Sequence, residues 1–310
     1  MEREVARVGR DSELSARLEA GTEPLVITGG ARGFRAYTCW SVDYLTRKFG
    51  HVELQFKLSS SHVHPDFRQP TLAQMFARGR APLGDFLRAV VSGAPEERAR
   101  RLFTGDERFL LRRRQGVETL DPELAPLLDD VEMPQLFERE RLHTVWCWFS
   151  GRGVRTWLHY DNNGCHNLNA QITGSKRCAL YPPSELSRMH PFVLGGDNPA
   201  HNCSAIDVEA PQPDFAADLA RASVWHAELQ AGDLLFIPAW WFHTFEHLGE
   251  FNSNVNFWSK PRAPRWNPVA ARQAVLDSVN AAQLSEQTPA LKAALRAIDQ
   301  AAITLTPPEG

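Results

Sequence analysis

Apolar and polar positions divide the chain into three stretches of different period. In the first, residues 24–28 are a short β-favouring run closed by Gly29 and Gly30, which predicts a strand and a turn. Val42, Leu45 and Phe49 then recur at helical spacing, and residues 52–58 alternate at period two. A helix followed by a strand is expected there. The charged residues up to Glu19 read as a solvated helix, and further helical pieces are expected over 71–77 and 83–91.

The character changes near His143. Runs at 144–149, 167–172, 177–181, 224–229, 234–237, 242–247 and 255–258 are rich in β-formers and separated by Gly, Pro and Asn turns. Many short strands at this spacing predict a barrel or sandwich, hence a mainly β fold with flanking helices. After Pro264 the pattern turns helical again. Asn267-Pro268 and Thr288-Pro289 are N-cap-plus-proline starts, and Leu291, Leu295, Ile298 and Ala302 fall on one helical face. Two amphipathic helices are expected to pack on the barrel or on a second subunit, dividing the chain into residues 1–262 and 263–310.

With 43% hydrophobic and 23% charged residues, the chain of 310 has the mix of a folded domain and lacks the one-sided charge of a disordered one. A net charge of -3 gives no general attraction to nucleic acid or an anionic membrane. The basic clusters at 98–101 and 112–114 read as solvated faces. Cys39, Cys147, Cys165, Cys178 and Cys203 are odd in number and form no C-x-x-C pair, so free thiols in a reducing compartment are expected. The first 20 residues carry no secretion signal and no window approaches a membrane span, which points to a cytoplasmic protein with no membrane partner.

In Thr156-Trp157-Leu158-His159-Tyr160-Asp161, the His and the Asp are two residues apart, so an extended backbone turns both side chains to one face. A second segment, Pro238-Ala239-Trp240-Trp241-Phe242-His243, supplies another His beside the turn Gly232-Asp233. Two His and one carboxylate form the facial set that leaves coordination positions open on iron(II). On its own the His-x-Asp pair is common by chance, and a His on a strand is more often a hydrogen-bonded core residue.

The surrounding residues add specificity. The 156–161 segment, the run Asn167–Pro183 with its Gly174-Ser175-Lys176 turn, the segment from Leu229 through Asp233 and Pro238 to His243, and Asn254-Val255-Asn256-Phe257-Trp258 together resemble the JmjC-domain hydroxylases. The resemblance takes in that family's protein asparaginyl hydroxylases and tRNA-base hydroxylases, and covers most of residues 24–262. It implies a double-stranded β-helix, a jelly roll of cupin type, with iron(II) inside one end and 2-oxoglutarate and O2 as co-substrates. Carried over residue by residue, it assigns the metal to His159, Asp161 and His243. Lys176 would pair with the distal carboxylate of 2-oxoglutarate, and the Thr156 hydroxyl would hydrogen-bond it. Asn167 and Asn256 match amide positions near the co-substrate, and Trp258 a position lining the substrate channel.

Plainer readings stand beside these: an inward Asn satisfies neighbouring backbone groups, and Trp258 fills the core. The rim loop 162–166 is two residues longer than in the asparaginyl hydroxylases, so substrate identity does not transfer. Cys165 and His166 in that loop read as surface or outer-shell residues, and His62, His64, His190, His201, His226 and His247 as structural. The implied reaction is hydroxylation of an unactivated carbon, first on a protein or peptide side chain, alternatively on a tRNA base or small metabolite. Lysine demethylation is disfavoured, because no zinc finger or chromatin-reading segment accompanies the domain. A cupin without turnover, or one that uses no 2-oxoglutarate, are readings of another class, against which Lys176 and Thr156 argue. The resemblance also implies a homodimer through the terminal helices.

Overall fold

All seven runs expected between 144 and 258 form strands, because alternation over short Gly-, Pro- and Asn-bounded segments suits a pleated ladder with one face on a core. The computed structural model describes residues 1–9, 13–69, 71, 75, 77–94, 101–104, 125–132, 134, 136, 138–263, 265–282 and 288–304. The strands before the barrel proper are β1 (Glu2–Glu4), β2 (Ala6–Val8), β3 (Leu25–Ile27), β4 (Glu53–Leu58), β5 (Val63–His64), β6 (Ala77–Pro82) and β7 (Arg101–Thr104). There follow β8 (Leu142–Gly151), β9 (Arg155–Thr156), β10 (His166–Thr173) and β11 (Lys176–Tyr181). The last four are β12 (Val224–Leu229), β13 (Leu234–Ile237), β14 (Phe242–His247) and β15 (Phe251–Ser259).

They form a six-stranded sheet in the order β1-β12-β11-β14-β9-β5 and a nine-stranded sheet in the order β2-β3-β13-β10-β15-β8-β7-β4-β6. This is a jelly roll with flanking helices. The non-sequential neighbours β11–β14 and β10–β15 are the crossovers that wind one sheet into the other.

The N-terminus departs from expectation. Residues 2–8 are strands rather than helix: β1 runs parallel to β12 and β2 parallel to β3, and only Leu14–Ala20 is helical. Open sheet edges offer rows of unpaired backbone groups, and pairing with them overrides the helical leaning of a charged segment. One short stretch thereby covers the free edge of both sheets. Helices at Val42–Phe49 and Leu83–Ser92 form as expected. The helix expected over 71–77 lies largely outside the described residues, and Ala77 opens β6. The basic clusters lie outside them too, apart from Arg101 at the start of β7.

The two faces of the nine-stranded sheet do different work. On β10, Leu168, Ala170 and Ile172 turn outward into a core with Phe236, Phe257 and the helical residues Leu18, Leu45, Phe86 and Leu87. Removing one such Phe from water contributes on the order of 2 kcal/mol. Asn167, Asn169 and Gln171 point the other way, between the sheets. The far end of that interior is apolar, with Cys178, Leu180, Leu229, Leu235 and Ile237.

The terminal helices span Pro268–Ala281 and Pro289–Thr304, and Asn267 caps the first by accepting from the Ala270 N–H at 2.9 Å. Of the expected apolar face, Leu295 is buried whereas Ile298 is 44% exposed. No described helix is long and apolar enough to cross a membrane.

Candidate functional site

His159 lies just beyond β9 and His243 on β14, and they meet backbone to backbone: His159 N–H donates to the His243 carbonyl at 3.1 Å, and His243 N–H returns the bond at 2.7 Å. Residues paired in this way project to the same side. The two rings accordingly stand 4.4 Å apart between centroids, and each Nε2 is 3.9 Å from Oδ1 of Asp161. One ligand atom from each of the three lies within 4.8 Å of the others, a spacing that could hold a metal ion.

The tautomers suit that use. His159 Nδ1 is 2.7 Å from the Trp157 carbonyl and His243 Nδ1 is 3.0 Å from the Trp241 carbonyl. A carbonyl only accepts, so both Nδ1 atoms carry the hydrogen and both Nε2 lone pairs face Asp161. Burial, together with the facing His243, pulls the His159 pKa down to about 4, against the attraction of Asp161. Burial alone would raise Asp161. The opposing pull of His243 and His159, with hydrogen bonds from Trp258 and Asn167, nevertheless holds its carboxyl below the usual range. A neutral His159 and an ionised Asp161 are the forms that ligate metals.

Asp161 is clamped on one oxygen. Its Oδ2 accepts from Asn167 Nδ2 at 3.0 Å and from Trp258 Nε1 at 2.8 Å, leaving Oδ1 toward the histidines. Behind Asn167 the amides run in series: Asn254 donates to Asn256 at 2.5 Å, and Asn256 to Asn167 at 3.1 Å. Each amide in the series is fixed by the next.

These residues open into a cavity of about 630 Å³ between the sheets, which Thr156, Lys176 and Phe245 also line. Lys176 is buried, donates to Asn169 Oδ1 at 2.7 Å and sits 4.5 Å over the Phe245 ring. Burial lowers its pKa to about 7, with only partial relief from Cys178. Among the described residues no carboxylate lies within ion-pair distance of it. Thr156 Oγ1 accepts from the Phe245 N–H at 2.9 Å, which leaves its own hydrogen to donate.

Over residues 11–263 the chain matches the cupin-like domain. It is 31% identical over 226 residues to tRNA wybutosine-synthesizing protein 5 of Danio rerio, covering 71% of this chain and 64% of that protein. The Homo sapiens protein of the same name is 30% identical over 243 residues, 76% of this chain and 71% of its own length. Lysine-specific demethylase JMJ31 of Arabidopsis thaliana is 26% identical over 284 residues, 80% of this chain and 48% of that protein. The chain belongs to the cupin-like family, in its JmjC branch. It spans somewhat under two thirds of the zebrafish relative and about half of the plant demethylase.

In this cupin-like domain every residue singled out from the sequence lines the cavity: His159, Asp161, His243, Thr156, Lys176, Asn167, Asn256 and Trp258. Trp258 does more than fill space, since its N–H is spent on Asp161. Cys165 and His166 are buried rather than on the surface, and His166 Nδ1 accepts from the Ala239 N–H at 3.0 Å. That bond braces the chain just before Trp240, a non-glycine residue at φ 71°. Gly164 is required opposite it, because a Cβ there would meet the Trp240 ring at 3.0 Å on a backbone with φ +67°. His247, read as structural, also lines the cavity and is bonded through Nδ1 to Ser150 Oγ at 2.7 Å.

Sequence reasoning passed over Asn169, Asn254, Trp146 and Trp148. Their signal is the alternation Asn167/Asn169 on β10, Asn254/Asn256/Trp258 on β15 and Thr144/Trp146/Trp148 on β8, which turns one polar or aromatic residue in two toward the cavity. Trp146 stacks on Trp148 at 5.9 Å and meets Trp258 edge-on at 5.5 Å.

Proposed function

We propose that the protein is an iron(II)- and 2-oxoglutarate-dependent oxygenase that hydroxylates an unactivated carbon. The observation that carries this reading is one cavity holding both the His159, Asp161 and His243 cluster and a buried Lys176 that has an amide and a ring beside it and, among the described residues, no carboxylate. An uncompensated buried cation is costly, and an anionic ligand offsets that cost. His159, Asp161 and His243 would hold iron through the two Nε2 atoms and Oδ1. Lys176 and the Thr156 hydroxyl would receive the distal carboxylate of 2-oxoglutarate. When bound, the iron and 2-oxoglutarate with O2 supply oxidative decarboxylation to succinate coupled to oxidation of a C–H bond. The chain's own part is to orient the ligands through the Asn254, Asn256, Asn167 series and Trp258, and to keep the Lys176 end of the cavity dry.

Titration of the protein with Mn(II), then with 2-oxoglutarate, tests these roles. His159→Ala and Asp161→Ala should lose Mn(II) binding, and Lys176→Met should keep Mn(II) while losing 2-oxoglutarate. Unchanged Mn(II) affinity in both ligand variants would remove the basis of the assignment.

For the substrate, the first reading is a protein or peptide side chain. A nucleobase is favoured as a second by the indole wall of Trp146, Trp148 and Trp258, on which a flat base stacks, and by relatives named for wybutosine synthesis in tRNA. Succinate release stimulated by peptides but not by tRNA would separate the two. The five cysteines are free, which supports a cytoplasmic location. An apolar groove along Trp266, Pro268, Ala271, Val275 and Ile298, with Trp266 71% exposed, supports a homodimer through the terminal helices. Sedimentation of a species near 34.8 kDa at micromolar concentration would exclude the dimer.

A further inference from the structure

The metal-ligand segment 157–161 is scarcely part of a sheet. Apart from the bridge to His243 and the bond from Trp157 N–H to the His64 carbonyl at 3.0 Å, its backbone leans on residues 202–204: Tyr160 N–H donates to the Asn202 carbonyl at 3.0 Å, Asn202 Nδ2 to the Tyr160 carbonyl at 2.9 Å, and Ser204 N–H to the Leu158 carbonyl at 2.9 Å. Tyr160, between the two ligands His159 and Asp161, packs edge-on against Phe242 at 5.1 Å. Its hydroxyl reaches out of the barrel to the first terminal helix.

There it meets Arg272, whose side chain is 0% exposed. Arg272 Nη1 donates to the Tyr160 hydroxyl at 3.2 Å and to the His201 carbonyl at 2.6 Å, Nη2 donates to the Phe192 carbonyl, and Nε pairs with buried Asp299. Tyr160 donates onward to Gln273 Oε1 at 3.1 Å, and Asp299 Oδ2 accepts from the Leu194 N–H at 2.9 Å. Three of its bonds thus go to Tyr160 and to the 192–201 stretch beside the ligand segment, and the fourth to Asp299. A fully buried ion pair adds little stability over apolar residues of the same volume, whereas a planar fork of donors fixes positions.

We propose that Arg272 is a positioning residue for the metal site: held by Asp299, it fixes Tyr160 and the 192–202 stretch so that His159 and Asp161 face His243. This rests on the metal-binding reading above. It makes the two terminal helices, through Arg272 and Asp299, part of the site's support rather than a separable appendage.

The test is Co(II) titration of the full chain, followed by visible absorption, for the wild type, Arg272→Lys and the double variant Arg272→Met with Asp299→Leu. The lysine keeps the charge and loses the fork, and the double variant leaves no unpaired buried charge. Both should bind Co(II) about ten-fold more weakly or worse, the scale seen when groups behind a metal ligand are removed, with an altered spectrum well below their melting temperatures. A structural role alone would move the melting temperature and leave affinity and spectrum unchanged. Wild-type affinity and spectrum in either folded variant overturns the proposal. Absence of Co(II) binding in the wild type would instead overturn the metal reading, and this inference with it.

Discussion

The indole nitrogen of Trp258 donates to Oδ2 of Asp161 at 2.8 Å, and the same oxygen takes the amide of Asn167 at 3.0 Å. Two donors on one oxygen fix the carboxylate's rotation, so that the other oxygen is the one turned to both histidines. Trp258→Phe keeps an aromatic ring edge-on to Trp146 and deletes the N–H. The expected outcome is Mn(II) affinity about ten-fold lower, read by titration, with the thermal unfolding midpoint little changed. Unaltered affinity would show that Asn167 alone suffices.

Lys176 makes a prediction whose sign separates binding from stability. It is buried over Phe245 and, among the described residues, has Asn169 alone as a hydrogen-bond partner, so in the ligand-free protein its charge opposes folding. Lys176→Met should raise the melting temperature of ligand-free protein, by a stabilisation of about 1–2 kcal/mol, while abolishing 2-oxoglutarate binding. A lower melting temperature would mean that the ammonium is stabilised by groups other than these.

The same lysine sets a pH dependence. Burial brings its pKa from 10.5 to about 7 in the folded chain, so between those values the unfolded chain holds the extra proton. Stability of the ligand-free protein therefore rises with pH across that window. A dicarboxylate needs the charged form, so 2-oxoglutarate affinity should fall about ten-fold per pH unit above 7, with proton uptake on binding. Calorimetry at pH 7 and pH 9, in buffers of different ionisation heat, measures both. Flat affinity would place the anion elsewhere.

Acid should destabilise the fold earlier than carboxylate titration would. Burial, with Arg141 nearby, brings the His166 pKa from 6.5 to about 4, and burial also lowers His201 and, strongly, His247. As pH falls from 6.5 toward 4, the unfolded chain takes up protons that these buried rings refuse, and stability is lost. The urea midpoint should drop between pH 7.5 and pH 5. A midpoint unchanged over that interval would contradict the assignment of these rings as buried and neutral.

What the sequence disclosed follows the range of the interactions involved. Strands β12, β13 and β14 begin and end where their alternation and turn residues place them, because period and punctuation are local. The pairing of residues 2–8 with β12 and β3 is non-local, so a charged stretch read as helix became strand. The helix Pro213–Arg221 buries none of its residues fully, and its inner side is marked by no more than the half-buried Phe215 and Leu219, too short a stripe to fix a period. In the site, His159 and Asp161 were visible from their spacing, whereas joining His243 to them required a resemblance. Asn169 and Asn254 bond residues only seven and two positions away, so their strand alternation was the signal to follow, whereas Arg272 bonds Tyr160 from 112 positions away and nothing near it in the chain points to that partner.

The most direct test of the account is succinate formation from 2-oxoglutarate by protein loaded anaerobically with iron(II) and then exposed to oxygen, with candidate peptides and tRNA supplied in turn. The account predicts iron-dependent succinate that one of these substrates accelerates and that His243→Ala abolishes. Succinate formed equally by His243→Ala, or a wild-type protein that binds no 2-oxoglutarate at all, would contradict it.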